Sequence, residues 1–282
     1  MIKNLNLIRK NKELFNHQSK NEKIILVEYN NFHGSHLCQA LLANFFKKKK
    51  SSKIIAYFNY SLIVSPLKTN SFQKLKWKLS TSLLLGFKKI YKSFGVESFL
   101  RPEISNNITI RAKKISNKFF KSSIKNRDII NFKVGKIWIG DLIYDTYLKS
   151  RLVPTINPNT KDFKNFFKEF LELFFYWQEF FKSNKVSQII GVHSCYSFGI
   201  PIRIAINNDI PSYIIHTRAV VKIDKKIQTM NGESKFFKKD FSKINTRFQK
   251  KNLELAKKNL NTRIIKGKSG FKVGLVNRSK SS

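Results

Sequence analysis

The sequence predicts an α/β fold built on a mainly parallel sheet with helices on both faces. Three observations carry this reading. Near the start, Ile24-Ile25-Leu26-Val27-Glu28-Tyr29 is the kind of run that strands buried on both sides show. Further on, residues 185–193 read as a short buried strand, 194–208 as a loop and helix, and 211–216 as another strand. Strand, helix and strand in so short a span form a βαβ unit, whose strands are parallel. Between these two regions, residues 162–182 place Phe163, Phe166, Phe167, Phe170, Leu173, Phe174, Trp177 and Phe181 at helical period, a wide apolar stripe suited to covering a sheet.

The elements follow in order. Residues 1–21 form a polar leader. After the first strand, residues 30–36 are loop-like, and Leu37, Ala40, Leu41, Asn44 and Phe45 recur at helical spacing. Lys47 to Lys50 then face the negative end of the helix dipole. Ser51 and Ser52 turn the chain into a second strand over 53–58, so the chain opens with a βαβ unit as well. Residues 71–94 suggest a basic amphipathic helix with Leu75, Leu79, Leu83 and Phe87, suited to covering the sheet or to lying on a membrane surface. Residues 107–121 suggest another helix. Asp141 is expected to cap a helix over the segment that follows, with Asp145 one turn on along the same face. The α/β domain is expected to span 22–220. Residues 221–282 read as a basic linker, one helix over 246–262 and a frayed tail.

Composition narrows the classes of function. The chain has 282 residues, 41% of them hydrophobic, enough to bury a core. Its 55 Lys and Arg against 17 Asp and Glu first suggest a nucleic acid or an anionic membrane face as partner. Only ten of the basic residues are arginine, the side chain best suited to phosphate and base edges. The lysines run along the whole length and accompany many Asn, Ile and Phe, residues that share A/T-rich codons. Nucleic acid is therefore not the expected partner. Two distant cysteines, Cys38 and Cys195, make neither a disulfide framework nor a zinc site and fit a reducing compartment. The first twenty residues lack the apolar core of a signal peptide. A cytoplasmic protein is expected, with peripheral association at the inner membrane as an extension.

Ligands of open parallel sheets bind beyond the carboxyl ends of the strands, where this sequence concentrates polar groups. Asn31, His33, Gly34 and His36 follow the first strand; His193, Ser194, Cys195 and Tyr196 end the later one; His216 ends the last. His33 and His36 have no third ligand nearby, so no metal is expected. Each reads as a base, a hydrogen-bond donor or simply a satisfied polar side chain. Gly34 permits close backbone approach or makes a turn. Asp141 and Asp145 suit a base or the recognition of hydroxyls, or else a cap and a surface acid. Cys195 reads as a nucleophile beside His193 or His216, or as a small buried residue. The first loop lacks the glycine pattern of a dinucleotide site, so no cofactor is expected. Gly267-Lys268-Ser269 ends like a phosphate loop, but Thr262 stands where the required glycine belongs.

The strand followed by Asn30-Asn31-Phe32-His33-Gly34, the Ile139-Gly140-Asp141-Leu142-Ile143-Tyr144-Asp145 segment, and Val192-His193-Ser194-Cys195-Tyr196 through Gly199-Ile200-Pro201 together resemble the amino-terminal half of bacterial capsule and surface-carbohydrate biosynthesis proteins. These look like glycosyltransferases of the two-Rossmann-domain (GT-B-like) architecture. The resemblance covers roughly residues 22–265. It implies an acceptor-side Rossmann-like domain, a glycan acceptor and a nucleotide sugar as donor substrate. On this reading Asp141 and His33 are candidate bases or hydroxyl-binding groups, with Asn31, Gly34, Asp145, His193, Tyr196 and His216 lining the cleft. The stretch after residue 265 is too short for a second Rossmann domain. The expectation is therefore truncation, a partner supplying the donor domain, or lost catalysis. The rival expectation is a non-catalytic basic module that holds an anionic partner.

Overall fold

Five of the six strands of the central sheet run parallel, because each is joined to the next by a helical crossover. The computed structural model describes residues 2–15, 22–30, 33–50, 52–58, 88–215, 219–228 and 237–266. After α1 (Ile2–Leu14), β1 (Ile24–Glu28) is buried at every position, which is why it reads as a continuous apolar run. Then come α2 (His33–Lys50), β2 (Lys53–Tyr57), α3 (Lys88–Ser93) and β3 (Val96–Leu100). Gly95, at φ +92°, makes the tight turn between the last two.

A long excursion follows. It comprises α4 (Asn106–Phe119), α5 (Asn126–Ile130), a hairpin of β4 (Lys133–Val134) and β5 (Ile137–Trp138), α6 (Gly140–Arg151) and α7 (Lys161–Ser183). Thr160 caps α7 by accepting from the amide of Phe163 at 3.2 Å. The chain re-enters the sheet with β6 (Val186–Gly191), a single 3₁₀ turn (Tyr196–Phe198), α8 (Gly199–Asn207), β7 (Ser212–Ile215) and β8 (Val220–Ile223). Strand order is β3-β2-β1-β6-β7-β8, with only β8 antiparallel to its neighbour. This is a Rossmann-like arrangement.

Alternation along the strands divides the core between the two faces. Ile25, Val27, Ile54, Ala56, Val96 and Ile190 pack with Ala40 and Ala43 of α2 and with Ile90, Tyr91 and Phe94 at α3. Ile24, Leu26, Tyr57, Ile189 and Ile214 meet α4, α6, α7 and α8, dominated by the phenylalanines of α7. The aromatic stripe is thus core. Phe119 stacks on Phe167 at 4.8 Å, and Tyr57 meets the edge of Trp177 at 5.3 Å.

Several local expectations change. The residues read as a polar leader contain α1. The sheet runs past residue 220, because β8 pairs along β7, and the first compact unit extends to Gly232. Asp141 is not a cap. The helix begins at Gly140, where a Cβ would sit 2.1 Å from the Ile129 carbonyl oxygen, so only glycine allows this close entry. In α2 the expected apolar stripe splits: Ala40 and Asn44 are buried, whereas Leu37, Leu41 and Phe45 are exposed. Of the proposed 71–94 helix, residues 71–87 lie outside the described residues, as does the tail from 267.

The second compact unit, residues 233–282, holds α9 (Phe237–Phe241) and α10 (Thr246–Lys266). Gln249 joins them by donating to the carbonyls of Phe241, Ser242 and Ile244.

Candidate functional site at the sheet switch point

Strands β1 and β6 are neighbours, but the chain leaves them in opposite directions. From β1 it passes through α2 on one face of the sheet; from β6 it passes through α8 on the other. The carboxyl ends of β1 and β6 therefore form a topological switch point, where such sheets bind ligands in a crevice.

Glu28 ends β1 at this point and is 1% exposed. Its Oε2 accepts from the amides of Val192, at 2.6 Å, and His193, at 3.4 Å. These bonds offset the cost of burying a carboxylate. Its Oε1 lies 3.7 Å from Nδ1 of His193, whose side chain is one-third exposed (33%) while Glu28 is not. Gly191 makes the approach possible, since a Cβ there would fall 3.1 Å from Glu28 Oε2 and equally close to Ile202.

A buried polar network fixes the other side of the crevice. The Tyr91 hydroxyl lies 2.9 Å from the Glu28 carbonyl and 2.8 Å from Gln39 Oε1, and accepts from the Asn30 amide. Gln39 also donates to the Glu28 carbonyl at 2.8 Å. Ser35 donates to Asn30 Oδ1, and His36 Nε2 sits 3.0 Å from the Asn30 carbonyl. Burial pushes the Tyr91 hydroxyl well above its ordinary pKa, so it stays protonated as a donor. His36 is thus structural, tying the start of α2 to the end of β1.

Helix α6 forms the opposite wall. Lys149 Nζ lies 4.1 Å above the Tyr196 ring. Tyr196 itself adopts φ +56°, a strained region for a bulky residue. Partial burial, and secondarily the charge of Asp141, hold the Asp145 carboxyl above the usual range. Burial likewise raises the Cys195 thiol, opposed by Lys149 and reinforced by Asp145 and Glu28. This is the wrong direction for a thiolate nucleophile.

The structure thus brings together Asp145, His193 and Tyr196 from the sequence expectation. Asp141 is drawn elsewhere. Its carboxylate is bidentate to the guanidinium of Arg203, at 2.5 and 3.4 Å, and Arg203 is 1% exposed. Arg203 also donates to the Trp138 carbonyl and Gln228, and stacks on Trp138 at 4.8 Å. An acid clamped in this way ties α6 to α8 and is poorly placed to take a substrate proton. His33 and Gly34 form the first turn of α2, but the His33 side chain lies outside the described residues. Asn31 and His216 lie outside them altogether.

Sequence reading missed Glu28, Lys149 and Arg203. Glu28 had a usable signal: a lone acid within a fully apolar strand must have a partner. Among the described residues, no group of three His, Cys, Asp or Glu is positioned to hold a metal ion, and no helix is long and apolar enough to cross a membrane. Compared with known proteins, the chain matches no family model and no curated sequence.

Proposed function

We propose that this chain is the acceptor-side domain of a glycosyltransferase-like protein of surface-polysaccharide synthesis, with His193 as base and Glu28 as its positioning residue. The observation that supports this reading most is the Glu28–His193 pair at the switch-point crevice. A half-open imidazole backed by a buried carboxylate is suited to taking a proton from a hydroxyl. In transfer, an acceptor sugar oxygen bonds the anomeric carbon of a nucleotide sugar as the bond to the nucleoside diphosphate breaks. The hydroxyl proton passes to His193. Tyr196 offers a ring face, and Asp145 and Lys149 offer polar contacts to sugar hydroxyls. In this reading a donor-side domain holds the donor's nucleotide.

The test uses a reconstituted extract supplied with a panel of nucleotide sugars and glycan acceptors, with thermal shift of the purified chain alongside. His193→Ala is expected to lower transfer by about 10²–10⁴-fold with its unfolding temperature unchanged. Glu28→Gln is expected to lower the rate of transfer while leaving the thermal response to acceptor in place. Unchanged transfer in both variants, or no thermal response to any acceptor or donor, refutes the assignment.

A further inference from the structure

Helix α2 buries a largely polar inner face, with Ala40, Ala43, Leu42 and Phe46 meeting the core, and leaves an apolar stripe outside. The face against the sheet carries Ser35, His36, Gln39, Ala40, Ala43, Asn44 and Lys47, all buried. The outer face carries Leu37, Leu41 and Phe45, which are 50%, 51% and 51% exposed. A helix that only covers a sheet shows the reverse pattern. Positions i, i+4 and i+8 align these three side chains in one stripe about 12 Å long.

The stripe ends in positive charge. The helix contains no acidic residue and finishes in four lysines, of which Lys48 and Lys49 are exposed. Lys49 Nζ lies 4.7 Å over the Phe45 ring. Beyond it, Lys23, Lys49 and Lys185 line a cavity of about 500 Å³ with Val186 and Ser187, at the amino edge of the sheet. The nearby acid Glu22 pairs with Lys185 at 3.4 Å, but both are highly exposed and such a pair is readily exchanged.

We propose that this face of α2 docks on an anionic lipid bilayer. Leu37, Leu41 and Phe45 enter the boundary between headgroups and acyl chains, and Lys23, Lys49 and Lys185 take lipid phosphates. Charge complementarity selects this occupant. A net charge of +38 opposes a second copy of the chain. A nucleic-acid backbone offers nothing to the aliphatic side chains of Leu37 and Leu41, whereas a bilayer satisfies both halves of the surface. Because α2 starts at the carboxyl edge of the sheet, docking holds the crevice beside the membrane. The proposal stands whether or not the crevice transfers sugar.

Co-sedimentation of the full chain with phosphatidylglycerol-containing and pure phosphatidylcholine vesicles, at ~150 mM salt, provides the test. The chain is expected to bind the anionic vesicles and not the neutral ones. Replacing Leu37, Leu41 and Phe45 together by glutamine is expected to weaken binding by about tenfold or more, with circular dichroism and unfolding temperature preserved. The variant Lys23→Gln, Lys49→Gln, Lys185→Gln is expected to lose about a hundredfold. No vesicle binding, or equal binding by the apolar variant, overturns the proposal. So does a wild-type dimer in sedimentation that the apolar variant dissolves, or RNA binding that the apolar variant abolishes.

Discussion

Replacing Asp141 by asparagine separates a catalytic acid from a structural one. Arg203 is buried to 1% exposure and Asp141 to 19%, and the guanidinium binds both carboxylate oxygens. Removing one partner of a buried pair costs about 3–5 kcal/mol, because the other charge is left uncompensated. Arg203 keeps two further acceptors, the Trp138 carbonyl at 3.0 Å and Gln228 Oε1 at 3.2 Å, and its stack on Trp138. The loss therefore falls at the lower end, about 3 kcal/mol. For a domain of this size each kcal/mol moves the unfolding temperature by about 2–4 °C, so Asp141→Asn is expected to unfold about 6–12 °C earlier. The double variant Asp141→Leu, Arg203→Met removes both charges and is expected to recover most of that loss. Thermal unfolding of wild type, Asp141→Leu, Arg203→Met and the double at pH 7 closes the cycle and yields the coupling directly. An Asp141→Asn protein that unfolds with the wild type yet loses transfer would refute this reasoning and return Asp141 to the site.

Two further outcomes follow from the walls of the crevice. Cys195 is expected to react with iodoacetamide at pH 7.5 far more slowly than the exposed Cys38, since burial raises its thiol; mass spectrometry of a time course in which Cys195 is modified first would contradict this. Asp145→Asn is expected to stabilise the fold slightly at pH 7. The folded carboxyl titrates above its unfolded value near ~3.9, so its charge opposes folding at neutral pH. The gain shrinks as pH falls through the folded value and vanishes below the unfolded one. Denaturant titrations from pH 3 to 7 that show an equal gain throughout would exclude this origin.

How far the fold can be read from the sequence depends on what covers each segment. β1, β6 and α7 are legible because both faces of the strands and a wide stripe of the helix are buried, leaving runs and periods that surface residues do not interrupt. β8 is not. It is four residues long, antiparallel and at the edge, with only Ile223 buried, so it merges into the lysine-rich stretch around it. The direction of α2 also eludes periodicity. Leu37, Leu41 and Phe45 mark an apolar face correctly but not which way it points, and Asn44 takes the inner position by donating to the carbonyls of Ala40 and Phe94. Asp141 fails as a cap because Arg203, sixty-two residues on, is a stronger partner than the first-turn amides.

The crevice was legible as a place but not as a pair. Histidines at strand ends pointed to the carboxyl edge of the sheet, and His193 lies there. What turns His193 from a polar residue into a candidate base is Glu28, which touches it only after the chain has passed through β2, β3 and the whole helical excursion. No local spacing encodes that contact. It depends on β1 and β6 being neighbours in a register that sets Val27 beside Ile190, one residue short of Glu28 and Gly191. Gly191 then supplies the second half of the requirement: a side chain there would crowd Glu28 Oε2, Ile202 and Ile214 at once. A buried acid on one strand and a glycine on its neighbour thus form a single device. The acid gains two backbone donors only because the glycine lets it lie against the strand, and those donors belong to the very residues, Val192 and His193, that it must orient. Rigidity and positioning therefore have one cause, and the site can be read from sequence only once strand order is known.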